Sequence, residues 1–411
     1  MKKINILLAV ILIFGSFSQV SYSQGGSNYS NIGIGDLNPT ISAAYEGLSG
    51  TSIAMPNEMN INFSNPALLS LVSTTRLQAG YRFNQNIISD ANSSLWQNNG
   101  GINDISMVFA FDTTNKIAGS FGIIPITKVN YLIAKEFSLE TEGETINGTS
   151  TFKGSGGISS IYLSLGGKLF TGLYAGATIY GNIGSINYLN QIDYENNFAY
   201  TTYYIQHDYF SGLGYKFGLF YETPWNLNIG AYYHDYGKFN VNRDFTQGNI
   251  LLDDSVQSEK FSTSSPRTFG LGLSYRTGKF LMGVDYKSVN AVNLNYGLNR
   301  ADKFTSGSEL SFGLVREGKP RKDLNMSDRT DFRLGFAYSK LYYEIAQQNI
   351  NEIKASLGFG IPFSTTGMFD FALILGHRGT TDNGLVSEYF ARFVFDISIG
   401  EGWFHPFKRE F

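Results

Sequence analysis

The stretch Thr268-Phe269-Gly270-Leu271-Gly272-Leu273-Ser274-Tyr275-Arg276 decides the fold, because large apolar residues alternate in it with small or polar ones. Successive side chains of a β-strand point to opposite faces, so one face of this segment is apolar. The segments 331–339 and 392–399 repeat the pattern. Strands of this kind, about ten residues long and separated by turns, are typical of a transmembrane antiparallel β-barrel. The pattern predicts lipid-facing positions at Phe269, Leu271, Phe332, Leu334, Phe393 and Phe395.

The composition favours a membrane barrel over a soluble β-sandwich or lipocalin-like barrel, whose apolar faces point inward. Of 411 residues, 16% are charged and 15% aromatic, with 46 glycines. Soluble proteins usually have about 25% charged residues. The net charge of −3 gives no broad basic surface for nucleic acid. The absence of cysteine excludes disulfides, thiolate metal sites and a cysteine-linked lipid anchor.

The beginning of the chain has the three parts of a secretory signal peptide. Lys2 and Lys3 precede an apolar run over 4–17, and Ser21-Tyr22-Ser23 places small residues before a cleavage point. The alternative is a transmembrane helix, for which the run is too short, since about 20 residues are needed. We therefore expect residues 1–23 to be removed and the mature protein to reach the outer membrane.

Turn signals predict about fourteen strands. Tight turns at six places join twelve strands, and one further strand lies at each end of the barrel, at about 74–87 and 387–400. The predicted tight turns are 113–115, 171–172, 224–225, 277–278, 339–340 and 364–367. The predicted long polar loops are 88–102, 138–150, 191–205, 241–264 and 291–328. The barrel is thus expected over residues 74–400, with a periplasmic tail over 401–411.

Residues 24–73 lack the alternation and are too many for a linker and too few for an independent domain. We expect them to form a plug, or hatch, inside the barrel or at its periplasmic mouth.

Three segments resemble the FadL/TodX family of transporters for hydrophobic compounds. They are 47–67, which ends in Asn65-Pro66-Ala67; 265–286, which contains Ser265-Pro266 and the stretch quoted first; and 331–338. The segments 29–37 and 356–362 are similar to a variant of this family typical of the Bacteroidetes.

The resemblance implies passive uptake of hydrophobic molecules, such as long-chain fatty acids, past a hatch and sideways into the membrane. The expected partners are outer-membrane lipids, lipopolysaccharide and a hydrophobic ligand. The chain also departs from the family pattern, as at its Gln-Gly-Gly mature start. The alternative is therefore a non-transporting barrel subunit of an outer-membrane secretion or barrel-assembly complex. A non-selective porin is a third possibility, with which a hatch conflicts.

Two motifs gain a specific interpretation from this resemblance. Asn65-Pro66-Ala67 corresponds to the latch of the hatch, although an ordinary turn before the first strand explains the same residues. Pro125 lies in the predicted third strand, which is the kinked strand of the family, and Gly122 eases a bend there. Proline cannot donate to a sheet ladder, so the pair marks a lateral opening or, alternatively, a strand end near the rim.

The inward positions of the strands carry charges of both signs. We expect them to form a solvated inner wall and to pair with each other and with the hatch, because lipid exposure of Arg or Lys costs about 2–4 kcal/mol. These residues are Asp112, Lys216, Arg276, Asp285, Lys287, Arg333, Arg392 and Asp396.

No catalytic site and no cofactor are predicted. The four histidines lie far apart in the sequence, and His234 falls on the inner face by parity. The Gly-x-Gly patterns lie in strands with no helix after them, so they do not form a phosphate loop.

Overall fold

The computed structural model describes residues 25–37, 42–141, 144–195, 200–249, 252–296, 301–319, 321 and 323–402. Fourteen antiparallel strands form the wall. Three of them are interrupted: β3 at Ile126, β7 at 236–237 and β8 at 265–266. The strands are β1 Thr75–Ser89, β2 Ser94–Asp112, β3 Ile117–Pro125 and Thr127–Thr141, β4 Glu144–Phe170, β5 Leu173–Tyr194, β6 Thr202–Glu222, β7 Leu227–Asp235 and Lys238–Asn249, β8 Leu252–Ser264 and Arg267–Thr277, β9 Phe280–Asn290, β10 Ser306–Arg316, β11 Asp331–Ile345, β12 Gln348–Pro362, β13 Gly367–Gly379 and β14 Ser387–Glu401.

The sheet closes on itself. The last strand β14 pairs with β1 over its whole length, from Ser387 opposite Ser89 to Glu401 opposite Thr75. Closure removes the unpaired strand edges that a bilayer does not tolerate. The predicted fourteen-stranded antiparallel barrel is therefore confirmed.

The wall is apolar on the outside. Phe269, Leu271, Phe332, Leu334 and Phe395 have exposed side chains, between 38% and 50%, and Phe393 is half-buried among neighbouring aromatic rings on the same outer face. This belt of apolar side chains around a closed barrel is the surface that faces lipid in outer-membrane proteins. No described helix is long and apolar enough to cross a membrane.

One predicted turn and one predicted loop are wrong, although the strand count is right. Ser339 and Lys340 lie inside β11, and the chain reverses instead at Ala346-Gln347, both of which have positive φ. These two residues are not the Asn-Gly pair that typically marks a two-residue hairpin turn, so the sequence does not predict a turn here. The predicted loop 291–328 contains β10, whose polar and glycine-rich sequence hides its few outward apolar residues.

The other predicted long loops consist mainly of strand. β4 has 27 residues, and β5 and β6 have 22 and 21, whereas about 9–11 are enough to cross a bilayer. The outer ends of β3 to β8 therefore rise well beyond the membrane as one continuous sheet. We call this part, which includes Tyr131–Thr141 of β3 and Leu252–Ser264 of β8, the raised sheet.

The described residues before β1, 25–37 and 42–74, lie within the barrel. Residues 25–37, the cap segment, contain the 3₁₀ helix Asn28–Asn31 and the short strand Asp36–Leu37. Residues 42–74, the luminal segment, contain the helix Ala43–Glu46 and the 3₁₀ helix Pro66–Leu71. The remaining short elements are the strand Lys303–Phe304, the helix Met326–Arg329 and the 3₁₀ helix Asp382–Gly384. The predicted signal peptide and residues 403–411 lie outside the described residues.

Candidate functional site: the filled lumen and the wall beside Pro125

Carboxylates on the inner wall hold the backbone of the luminal segment. Asp285 of β9 is fully buried, and its Oδ2 accepts hydrogen bonds from the N–H groups of Ser52, at 2.6 Å, and Ile53, at 2.9 Å. Asp396 of β14 accepts one from the N–H of Ala43 at 2.5 Å. Such charge-assisted bonds are stronger than neutral ones and fix orientation as well as position.

Cations on the wall complete this attachment. Lys287 Nζ donates to the carbonyl oxygen of Gly50 at 2.6 Å and lies 3.0 Å from Glu309 Oε1. Lys354 approaches the other oxygen of Glu309 at 2.7 Å. Arg82 of β1 pairs directly with Glu46 of the luminal segment. The charges are therefore largely partnered within the protein, which is what burial in a low-dielectric interior requires.

The predicted inner-wall charges do not all have this function. Arg333 pairs with Asp331, at 2.8 Å, and with Asp370, and it is buried on the wall. Arg276 pairs with Glu317 near the periplasmic end, where its side chain is 37% exposed. Asp112 closes the β2–β3 turn by accepting from the N–H groups of Thr114 and Asn115.

The segment Asn65-Pro66-Ala67 connects the luminal segment to the wall. Asn65 Oδ1 accepts from the N–H of Ala67 at 3.1 Å and so begins the helix Pro66–Leu71. Its Nδ2 donates to Ile53 within the segment and to the carbonyl oxygen of Leu219 in β6, both at 2.9 Å. One amide thus joins two parts of the luminal segment to one wall strand.

Inward-facing glycines form a belt that makes room for the luminal segment. A Cβ atom at Gly335 would lie 2.2 Å from the carbonyl carbon of Leu48, and one at Gly218 would lie 2.1 Å from Asn65 Oδ1. Neighbouring strands supply further glycines in the same kind of contact. They are Gly166, Gly176, Gly230, Gly272, Gly283, Gly313 and Gly358. The Gly-x-Gly patterns of the sequence therefore have a packing role, which only contact with the luminal segment reveals.

The cap segment fills part of the outer half of the barrel. Tyr29, Ile32 and Ile34 are buried in a large apolar cluster with wall residues such as Tyr343. Tyr29 donates to the carbonyl oxygen of Val386 at 2.6 Å, and burial, with the nearby Glu388 carboxylate, raises the pKa of Tyr29 to about 12. The hydroxyl thus remains a donor over the physiological range.

The ladder between β2 and β3 ends part of the way up the wall. Pairing runs from Asp112 opposite Ile117 to Ile105 opposite Ile123. Above this point, no backbone pairing joins the described parts of β2 and β3, while β4 continues to pair with β3. Gly122 forms the second-last pair of this ladder, opposite Ser106. A side chain at this position would collide with Ile105 and Ser106.

Pro125 lies at the edge of this gap. The N–H of Ile126 donates to the carbonyl oxygen of Ile158 in β4 at 2.9 Å. Because successive backbone N–H groups point to opposite sides of a strand, the N–H that proline lacks would have pointed towards β2. Proline therefore leaves no unpaired donor at position 125 of the edge that faces the gap.

A cavity of about 520 Å³ lies between the cap segment and the luminal segment and extends to this gap. Its described lining includes Ile102 of β2, whose side chain is 64% exposed on the outer wall, and Pro125 and Lys128 of β3. Eight Lys and Arg residues and five Asp and Glu residues also line it. They are Arg82, Lys128, Lys216, Lys287, Lys340, Lys354, Arg378 and Arg392, with Asp36, Glu46, Glu309, Glu352 and Glu388. Cationic side chains therefore outnumber anionic ones in the lining.

His234 is buried on the inner face, as parity predicts, and its ring lies 3.8 Å from that of Tyr236. Among the described residues, no group of His, Cys, Asp and Glu side chains has the arrangement of a metal site.

Comparison with solved structures defines the architecture. The chain resembles the monoaromatic hydrocarbon channel CymD, with 16% identity, a TM-score of 0.60 and coverage of 92% of this chain and 100% of the channel. It also resembles the toluene transporter TodX of Pseudomonas putida (13% identity, TM-score 0.60, coverage 90% and 100%). A FadL homologue of Pseudomonas aeruginosa gives 11% identity, a TM-score of 0.61 and coverage of 89% and 98%.

The protein is therefore an outer-membrane β-barrel with the FadL/TodX fold, and the predicted resemblance is confirmed at the level of the fold. The chain belongs to the BamG family, whose model matches residues 1–410. A search of curated proteins by sequence found no match.

Proposed function

We propose that this protein is a non-transporting barrel subunit of an outer-membrane secretion or barrel-assembly complex, and that the raised sheet is its main contact surface. The observation that supports this proposal most strongly is the raised sheet. Six neighbouring strands rise above the membrane, with β8 paired only to β7 over Leu252–Ser264 among the described strands. A water-exposed sheet with open edges offers backbone groups to a partner chain.

The interior of the barrel supports the same proposal. Uptake of a hydrophobic molecule needs an apolar route, whereas the cavity lining has thirteen charged side chains among its described residues. The luminal segment below the cavity is held by buried carboxylates and packed against the glycine belt. Opening this route would break several charge-assisted bonds in a buried setting, at a cost of about 1–3 kcal/mol each.

Gentle purification from native membranes tests the subunit role. We expect the full-length protein to purify in a stoichiometric complex. The test variant shortens the β3–β4 hairpin of the raised sheet, in which Glu136 lies opposite Thr149. Residues 136–149 are replaced by Asn-Gly. This variant should still insert into the membrane, but the barrel should be released from the complex. As a control, Gly-Ser replacement of 381–384, in the β13–β14 connection, should leave the complex whole. A full-length protein that purifies as a lone barrel would contradict the proposal.

A second function, uptake of a hydrophobic compound with lateral release, is favoured by the gap between β2 and β3. The absence of cysteine allows a clean test. Cysteines at Asn99 and Lys128, whose side chains meet at 2.6 Å across the gap, can be joined by a short bismaleimide. If the protein transports toluene, cross-linking should abolish uptake into cells that express it. Unchanged uptake would exclude the lateral route.

In this second function, Pro125 forms the edge of the gap, and Gly122 lies in the paired part of β3 just below it. Pro125→Ala restores an N–H that points towards β2, so it should retain insertion and lower uptake if an unpaired edge is needed.

A further inference from the structure

We infer that the gap between β2 and β3 is a binding site for the anionic headgroup of a membrane amphiphile, held by Lys128 and Arg392. The phosphate or carboxylate would enter the cavity from the side, while the apolar chain stays in the bilayer. This inference does not depend on whether the protein is a subunit or a transporter.

The two cations lie on one continuous polar track. Arg392 of β14 is directly opposite Asn84 of β1 in the sheet. Asn84 donates to Asn99 Oδ1 of β2 at 2.9 Å, and Lys128 Nζ donates to the same oxygen at 2.6 Å. Directly opposite residues have Cα atoms about 4.5–5.5 Å apart, so the track leads from Lys128 at the gap to Arg392 inside the cavity.

Four other cations in the cavity already have carboxylate partners. Arg82, Lys287, Lys354 and Arg378 form ion pairs with carboxylates. No described carboxylate lies within ion-pair distance of Lys128 or Arg392, and the Arg392 guanidinium lies 4.6 Å from the ring of Phe390. Both side chains are half-buried, and a partly desolvated charge without a counterion is costly, so an anion at this place would be stabilised. A guanidinium and an ammonium are the groups that bind phosphate and carboxylate oxygens.

The gap opens towards the lipid-facing part of the wall, which indicates that the bound anion belongs to an amphiphile. On β2, the gap begins above Ile105, which is 48% exposed, and it passes Ile102 on the way to Trp96, which is 58% exposed. Exposed isoleucines indicate the lipid belt, and tryptophan is enriched at the membrane–water interface. An anion that reaches Lys128 from this side therefore comes from a molecule with an apolar chain.

Native mass spectrometry of the purified, delipidated protein tests the site. Phosphatidylglycerol, oleate, phosphatidylcholine and inorganic phosphate are added separately. We expect phosphatidylglycerol or oleate to bind at least tenfold more tightly than phosphatidylcholine, and inorganic phosphate to bind weakly. The variant K128Q/R392Q should lose this binding by about tenfold, with the protein still folded by its heat-dependent gel shift.

A matched control separates the site from ordinary surface lipid. The variant K168Q/K319Q also removes two charges, but from exposed positions outside the gap, and it should bind like the wild type. The inference would be overturned if both variants lost lipid binding equally. It would also be overturned if anionic and zwitterionic lipids bound equally well, or if inorganic phosphate alone bound tightly. A native complex that survives K128Q/R392Q would leave the proposed subunit role intact, so the two proposals fail separately.

Discussion

Single polar residues determine how the lumen is filled. Asp285 illustrates this, because one carboxylate oxygen receives two consecutive backbone N–H groups of the luminal segment. Strand parity alone predicts that Asp285 faces inward, since its neighbours in β9 alternate with it. Parity does not indicate which backbone it binds, because residues 52 and 285 meet only after the barrel has closed.

We expect Asp285→Asn to lower the stability of the folded barrel by about 1–3 kcal/mol, because a neutral amide oxygen is a weaker acceptor than a carboxylate oxygen for the two buried N–H groups. The temperature of the unfolding shift on a gel measures this. Asp323→Asn removes an exposed charge that pairs with Arg321, and it should change that temperature little, because exposed pairs contribute at most about 1 kcal/mol. Equal effects of both variants would contradict the anchoring role of Asp285.

At the scale of elements, the luminal segment and the wall fit each other through glycine. Gly335 is opposite Gly313 in the neighbouring strand, and both contact Leu48. A strand normally loses stability with glycine, since no side chain packs there. Here the missing side chains let another backbone come close, so the cost within the strand is offset by contact with the luminal segment.

We expect Gly335→Val to displace the luminal segment and to raise the ion conductance of the barrel in planar bilayers. The added side chain would overlap Leu48, and overpacking of this kind costs about 1–3 kcal/mol. Gly167→Val is the matched control, because the nearest atom to its Cβ position is 3.9 Å away. An unchanged, low ion conductance of the Gly335→Val variant would contradict the prediction, because the luminal segment would then still close the lumen.

At the scale of the whole molecule, the last strand completes the barrel. Phe395 faces outward and its ring lies 5.6 Å from that of Tyr81 in β1, so the seam between the first and last strands is also an aromatic contact. Phe393 contacts Phe83 and Phe371 in the same way. The alternation over Arg392–Ile399 resembles the C-terminal signal that barrel-insertion machinery reads.

We expect the double substitution of Phe393→Asp and Phe395→Asp to prevent insertion. It removes the aromatic seam and places two carboxylates on the lipid face, which destabilises a barrel in a depth-dependent way. Outer-membrane fractionation measures the result, and Asn383→Asp in the exposed β13–β14 connection is the control. Normal outer-membrane levels of the double variant would refute the prediction.

The sequence by itself determined the barrel, because alternation with period two is a local property that each strand shows alone. It also placed Asp285, Lys287 and Asp396 on the inner face by the same parity. Only the tertiary structure decided which of these residues hold the luminal segment, why the glycines face it, and where the β2–β3 ladder ends. Those features depend on backbones that are distant in sequence and that meet only when β14 closes against β1. The turn at Ala346-Gln347 was decided in the same way, because strand pairing on both sides imposes a positive φ that these two residues do not favour by themselves.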